Sequence, residues 1–275
     1  MIWDRLTEDA VRTRLDGLDL TFNRYGLDAF GISRAHLGAL YTLLGRLYHQ
    51  YFRVETHGIE HVPATGRAMI IGNHSGGLPV DASMALASLF FEPESPRHGH
   101  GMVEKFAQNW PFLSPLFSRL GQLAGLPEHA IRILEDERLL MVFPEGARGT
   151  GKLYKDKYKL VRFGTGFMRI ALETKSPIVP FAFVGGEEAL PVIYHAKWLA
   201  KLTGAPYWPV TPYVLPVPLP VPCQLYYGEP MHFEGTGHEA DHVIDGYVQQ
   251  VKQRIAGLID HGRQIRSERA AGANP

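Results

Sequence analysis

Two short segments of the chain hold residues whose types and spacing could carry proton-transfer chemistry and bind a polar ligand. The first is Asn73-His74-Ser75-Gly76-Gly77-Leu78-Pro79-Val80-Asp81. An imidazole that titrates near neutrality can take a proton from a hydroxyl nucleophile. A carboxylate a few residues on, across a glycine-rich turn, can hydrogen-bond the far ring nitrogen, hold one tautomer and stabilise the imidazolium that forms. Each residue also has a plainer use, since Asp81 suits a helix N-cap and a lone histidine is more often structural than catalytic. Together in one loop they read as a catalytic pair, His74 as general base and Asp81 behind it. Ser75 offers a serine nucleophile instead. No G-x-S-x-G elbow surrounds it, which leaves a hydrolase triad as the weaker alternative.

The second segment is Phe143-Pro144-Glu145-Gly146-Ala147-Arg148-Gly149. Its turn residues can present backbone N–H groups and a guanidinium to an anionic or hydroxylated ligand. A tight turn with a surface ion pair is the alternative. Downstream, Arg148, Lys152, Lys155, Lys157, Lys159, Arg162 and Arg169 stand against one acid, Asp156. That positive run suits the phosphates of coenzyme A, an acyl-carrier protein or anionic headgroups, although charge runs are usually solvated faces.

Both segments need strand ends to hold them. Ala68–Gly72, Leu139–Phe143 and Pro177–Val184 are short apolar runs that read as buried strands, with Leu225–Tyr227 as a candidate fourth. Helical patterns lie between them, at Ala82–Phe91, Glu128–Glu137 and Gly166–Thr174, and a long terminal helix covers Ala240–Arg269. The alternation predicts an α/β domain, a mixed, largely parallel sheet covered by helices on both faces. Ligands in such folds sit beyond the carboxyl ends of the strands, where both segments fall.

Ahead of the strands, Leu37, Leu40, Tyr41, Leu43, Leu44, Leu47, Tyr48 and Phe52 make a broad apolar stripe at helical spacing. Packing on the core is the usual use of such a stripe, and lying among lipid tails is the other. We divide the chain into residues 1–52, an amphipathic helical segment for membrane association, and 53–275, the α/β domain.

Composition narrows the classes. The chain has 275 residues, 45% of them hydrophobic and 20% charged, enough for a packed core. Its 28 basic residues balance 28 acidic ones, and no nucleic-acid motif is present, so no nucleic-acid partner is expected. The single cysteine, Cys223, excludes an intrachain disulfide framework. His98 and His100 are close, but no third ligand stands at zinc spacing, and no metal is expected. No secretory signal shows at the N-terminus. Leu202–Gly228 is long and uncharged but carries seven prolines, which excludes an ordinary spanning helix. The expected localisation is a peripheral, monotopic protein on the cytoplasmic face of a membrane.

The pairing of NHSGGLPVD with FPEGAR, with 71 residues from His74 to Glu145, resembles the glycerolipid and lysophospholipid acyltransferase (PlsC-like) family. Lys105 in VEKF, Gly121 and the PIVPFAFVGGEE segment match further, and the resemblance covers roughly residues 54 to 230. It implies that His74 is the general base, Asp81 its orienting partner, and that an acceptor hydroxyl attacks an acyl thioester directly. Asn73, Lys105, Phe143, Pro144, Glu145, Gly146, Arg148 and Lys152 are then the candidate substrate-binding residues. No cofactor is implied, acyl-CoA or acyl-carrier protein being the co-substrate. Membrane lipids are the expected partners.

Two departures sharpen the expectation. The family's usual four residues between histidine and aspartate become six here, Ser75 to Val80, which looks like the branch related to mono- and diacylglycerol-acylating enzymes. Where phosphate-acceptor members tend to carry an arginine, this chain has Pro127, and a bidentate phosphate donor is missing. Both a phosphate-bearing acceptor, such as a lysophospholipid, and a neutral lipid alcohol are therefore open. For the lipid path, Phe106, Trp110, Phe112, Leu113, Leu116 and Phe117 form one candidate; the valine–proline–leucine run after Pro212 reads as core.

Overall fold

Short apolar runs, each ended by a glycine or proline turn, make the strands that carry both segments. The computed structural model describes residues 2–75, 77–103 and 113–272. Its main sheet contains β1 (Glu55–His57), β2 (Ala68–Gly72), β3 (Gly99–Val103), β4 (Leu123–Ala124), β5 (Leu139–Val142), β6 (Ile178–Val184) and β9 (Gln224–Tyr227), in the order β1-β9-β6-β2-β5-β3-β4. β2, β3, β4, β5 and β6 run parallel; β9 lies antiparallel to β6, and β1 pairs parallel with β9. A separate antiparallel pair, β7 (Tyr194–His195) and β8 (Pro209–Val210), forms within the connection from β6 to β9.

The central strands are buried on both faces, and their side chains alternate between two apolar clusters. Ala68 and Ile70 of β2, with Val179 and Phe181 of β6, join one cluster; Met69, Ile71 and Ala182 join the other. This period of two is why a run of uninterrupted apolar residues can serve both sides of a parallel sheet. The first face is covered by α2 (Asp9–Asp16), α3 (Arg34–Arg46) and α4 (Val80–Phe91), with α1 (Ile2–Arg5) packed on α3. On the second lie α6 (Pro127–Glu135), α8 (Gly166–Glu173) and the long α11 (Asp241–Gly272). Shorter helices, α5 (Leu113–Arg119), α7 (Ala147–Thr150), α9 (Gly186–Ala189) and α10 (Lys197–Thr203), fill the connections. The fold is the mixed, mostly parallel α/β architecture that the alternation implies.

Of two apolar segments, the first takes the core-packing reading of its stripe and the second departs from the reading given to it. In α3 and the π-helical turn that follows it (Leu47–Tyr51), the stripe residues Leu37, Tyr41, Leu44, Tyr48 and Phe52 are each at most 5% exposed and belong to the first cluster. That stripe is spent on the core, with Leu43 facing out. Conversely, the proline run read as core leaves Val214, Leu215 and Val217 exposed. Its alternating prolines keep the chain from joining a ladder, so its side chains have no layer to pack into. Among the described residues no helix is long and apolar enough to cross a membrane. Of the candidate lipid path, Phe106, Trp110 and Phe112 lie outside the described residues, and Leu113, Leu116 and Phe117 are half-buried on α5.

Candidate active site

The carboxyl end of β2 delivers the catalytic loop. Gly72 closes the strand beneath the Phe181 ring, and a Cβ there would stand 2.3 Å from that ring. The next residue, Asn73, is fully buried. Its amide donates to the Phe183 carbonyl at 3.1 Å, and its carbonyl accepts from the Phe183 N–H at 2.8 Å. The side chain thus stands in for one further main-chain pair between β2 and β6. Asn73 fixes where His74 leaves the sheet; it does not face the cleft as a substrate ligand.

His74 then turns toward α4. Its Nδ1 lies 2.7 Å from Asp81 Oδ2. Asp81 is completely buried, and it also accepts from the Ser75 N–H at 2.7 Å and the Ala82 N–H at 2.7 Å. A carboxylate so occupied as an acceptor holds the proton on Nδ1 and leaves Nε2 with its lone pair free. Among the described residues Nε2 has no hydrogen-bond partner recorded, and the side chain retains 16% exposure. The six-residue interval closes because the helix begins at Val80 with Pro79 at its N-cap. Asp81 is therefore inside the first turn, aimed back at the loop, and not the cap that its position before Ala82 suggested.

The second segment holds this loop from below. Phe143 stacks on the His74 ring, with centroids 4.3 Å apart. Glu145 is buried, its Oε1 accepting from the His74 N–H at 2.9 Å and its Oε2 from the Val161 N–H at 2.8 Å. Lys152 is buried too, 3.5 Å from Glu145 and 3.7 Å from Glu187, and its ammonium donates to the Lys159 carbonyl at 3.1 Å. Expected as ligands, Glu145 and Lys152 are instead turned inward, because two main-chain N–H groups and a buried ammonium compete for the carboxylate. Pro144 accepts from the Gly164 N–H through its carbonyl. Gly146 sits at φ 56°, ψ −151°, open essentially to glycine alone, and turns the chain under His74. Arg148 is exposed, donating to the Arg162 carbonyl at 3.4 Å. Lys105 lies outside the described residues.

Three positions within the quoted segments were given no role of their own by sequence reasoning. A Cβ on Gly149 would come within 2.7 Å of the Glu145 Cβ and 2.8 Å of the His74 Cβ, so only glycine lets the two segments touch. The Gly77 N–H donates to the Thr150 carbonyl at 3.0 Å, a second stitch between them. The available signals were the glycines of GARGTG for the first and of NHSGGLPVD for the second. Glu187, at the start of α9, is the third: burial raises its carboxyl well above the usual range, to about 7, against the pull of Lys152. Two buried carboxylates thus share one ammonium.

A carboxyl whose folded value is raised contributes stability that is complete below its ordinary value near 4.5 and is lost as the pH rises through about 7. Wild type is thus expected to lose stability relative to Glu187→Gln across that window, without further divergence above it. Urea midpoints of both proteins measured from acid to neutral pH check this; parallel profiles would place the raised carboxyl elsewhere.

Among the described residues Ser75 Oγ is buried and has no hydrogen-bond partner, His74 included. Among the described residues no group of His, Cys, Asp or Glu could hold a metal ion. His98 and His100 sit at the opposite end of the sheet, against the start of β5.

A histidine–carboxylate pair at the carboxyl end of parallel strands is an arrangement of α/β enzymes that take protons from hydroxyl groups. Comparison with known proteins gives the class its family. A family model described as Acyltransferase matches residues 53–184. An uncharacterized protein of Mycobacterium leprae is 36% identical over 256 residues, 89% of this chain and 68% of that protein. The human "DGAT1/2-independent enzyme synthesizing storage lipids" is 26% identical over 230 residues, 80% of this chain and 64% of that protein. Among solved structures, the 1-acyl-sn-glycerophosphate (LPA) acyltransferase PlsC from Thermotoga maritima shares the fold. Its TM-score is 0.57 at 18% identity, over 91% of this chain and 87% of that one. The chain belongs to the acyltransferase family.

Proposed function

We propose that this protein transfers a fatty acyl group from acyl-CoA or acyl-carrier protein to a hydroxyl of a glycerolipid, with His74 as general base. The observation that carries the reading is the 2.7 Å contact of Nδ1 with a buried Asp81, which leaves Nε2 uncommitted. Nε2 takes the acceptor's hydroxyl proton as the oxygen attacks the thioester carbonyl. The tetrahedral intermediate collapses, the C–S bond breaks, and the thiolate leaves with the proton returned by the imidazolium. Asp81 stabilises that imidazolium, and Phe143 holds the ring by stacking. No residue needs to be acylated, in keeping with the burial of Ser75 Oγ.

Exposed Arg148, Lys155, Lys159 and Arg162 around the second segment suit the phosphates of coenzyme A or an acidic carrier protein. For the acceptor, a lysophospholipid is the first reading. A neutral mono- or diacylglycerol is favoured by Pro127 at the place of the family's arginine and by the likeness to an enzyme named for storage lipids. Such substrates reside in bilayers, and we place the protein at the cytoplasmic face of a membrane, bound peripherally.

The test is incubation of the purified protein with radiolabelled acyl-CoA, or acyl-carrier protein, and a panel of lysophospholipids, monoacylglycerol and diacylglycerol. Label in a new ester of one panel member is expected. Label released only as free fatty acid would instead mark a hydrolase.

A further inference from the structure

The connection from β6 to β9 leaves the domain as an excursion built from β7, α10, β8 and the proline run. Here lie most of the large apolar side chains that face solvent among the described residues. Trp198 is 70% exposed and Leu202 77%, with Tyr194, Val214, Leu215 and Val217 all above half. On α10 the outward positions are Lys197, Trp198, Lys201 and Leu202, two i, i+4 pairs, while Ala196 and Ala200 pack inward. Val214 adopts φ 71°, the left-handed region that a β-branched residue avoids. Its N–H donates to the Thr211 carbonyl and the Thr211 hydroxyl donates to the Leu215 carbonyl, both at 2.9 Å. This strained turn presents two apolar side chains to water.

We propose that this excursion is the surface by which the protein lies on an anionic lipid bilayer. The proposal rests on the acyl-transfer reading for its substrate. Charge selects this occupant: no acidic residue stands between Glu188 and Glu229, and the basic residues of the stretch are Lys197 and Lys201. Tryptophan and leucine flanked by lysines are the composition of interfacial segments, whose rings and chains enter the headgroup boundary while ammonium groups reach back to phosphates. A second copy of this chain would bring the same lysines onto one another with no acid within the stretch to meet them. The basic run adds to the same side. Tyr154 N–H donates to the Val192 carbonyl at 2.7 Å and His195 Nε2 lies 2.9 Å from the Gly151 carbonyl, tying Arg148–Arg162 to the excursion's base.

The surface also borders the reaction. Val192 and Pro209, at the root of the excursion, lie 3.0 and 3.1 Å from where a Gly77 Cβ would stand, so the catalytic loop packs directly on it. An acceptor lipid would enter from the bilayer without crossing water.

Co-sedimentation with phosphatidylcholine vesicles, with and without phosphatidylglycerol, tests this on the full chain without substrate. Trp198→Glu/Leu202→Glu and, separately, Leu215→Glu/Val217→Glu should each lower partition onto anionic vesicles by about tenfold or more. Both pairs are exposed, and an unchanged thermal midpoint verifies that each variant is folded. Lys197→Glu/Lys201→Glu should remove the preference for phosphatidylglycerol. Unchanged partition in the folded apolar variants overturns the proposal. So does a wild-type dimer that these variants dissociate while vesicle binding persists, which would make the face a self-association surface. If acyl transfer itself is misassigned, vesicle binding stays intact and the acceptor panel stays unlabelled, so the two failures are separable.

Discussion

His74→Ala is expected to lower acyl transfer by about 10² to 10⁴-fold, the usual contribution of a general base, while the protein stays folded. The main-chain N–H that meets Glu145 survives the substitution, and so does Asp81's bond to the Ser75 N–H. What disappears is the ring stacked on Phe143 and its Nε2, the atom that would receive the acceptor's proton. Loss should fall on kcat, since the imidazole acts chiefly where charge develops. Transfer within a few-fold of wild type, in a preparation with a wild-type thermal midpoint, would remove His74 from the mechanism.

The second large effect is expected from Glu145→Ala, and it is a loss of fold before it is a loss of binding. The substitution strips two main-chain N–H groups, on His74 and Val161, of their acceptor and takes one of two carboxylates from the buried Lys152. Breaking a buried pair of this kind typically costs about 3–5 kcal/mol, a fall in midpoint of roughly 10 °C for a chain of this size. Activity per folded molecule should fall as well, because the His74 loop loses its anchor from β5. Thermal unfolding and transfer kinetics of the same preparation separate this from the ligand role that the FPEGAR segment suggested. A variant with an unchanged midpoint and a raised KM would restore that role.

These two residues show what was legible in the sequence. The strands β2, β5, β6 and β9 stand where apolar runs ended by turns predicted them, since burial on both faces leaves a continuous signature. The pairing of His74 with Asp81 could be read from residue type and a flexible interval. The inward turn of Asn73, Glu145 and Lys152 could not. A polar residue at a strand end looks alike whether it meets a ligand or a neighbouring main chain, and only the packing of β6, Val161 and Glu187 decides. β3, written GHGMV, escaped because two glycines and a histidine break the apolar run. The antiparallel placement of β9 also has no local signal: the excursion before it reverses the chain, and four residues pair equally well either way.

The burial of the α3 stripe also sets a schedule. Leu37, Tyr41, Leu44 and Tyr48 share a cluster with Phe181, Leu225 and Tyr227, so their covering is complete only after β9 has been synthesised. At about 5–20 residues per second, an apolar helix made early waits roughly ten seconds or more for its last neighbours. During translation the stripe of that helix is free to touch a chaperone or a membrane surface, before the core takes it.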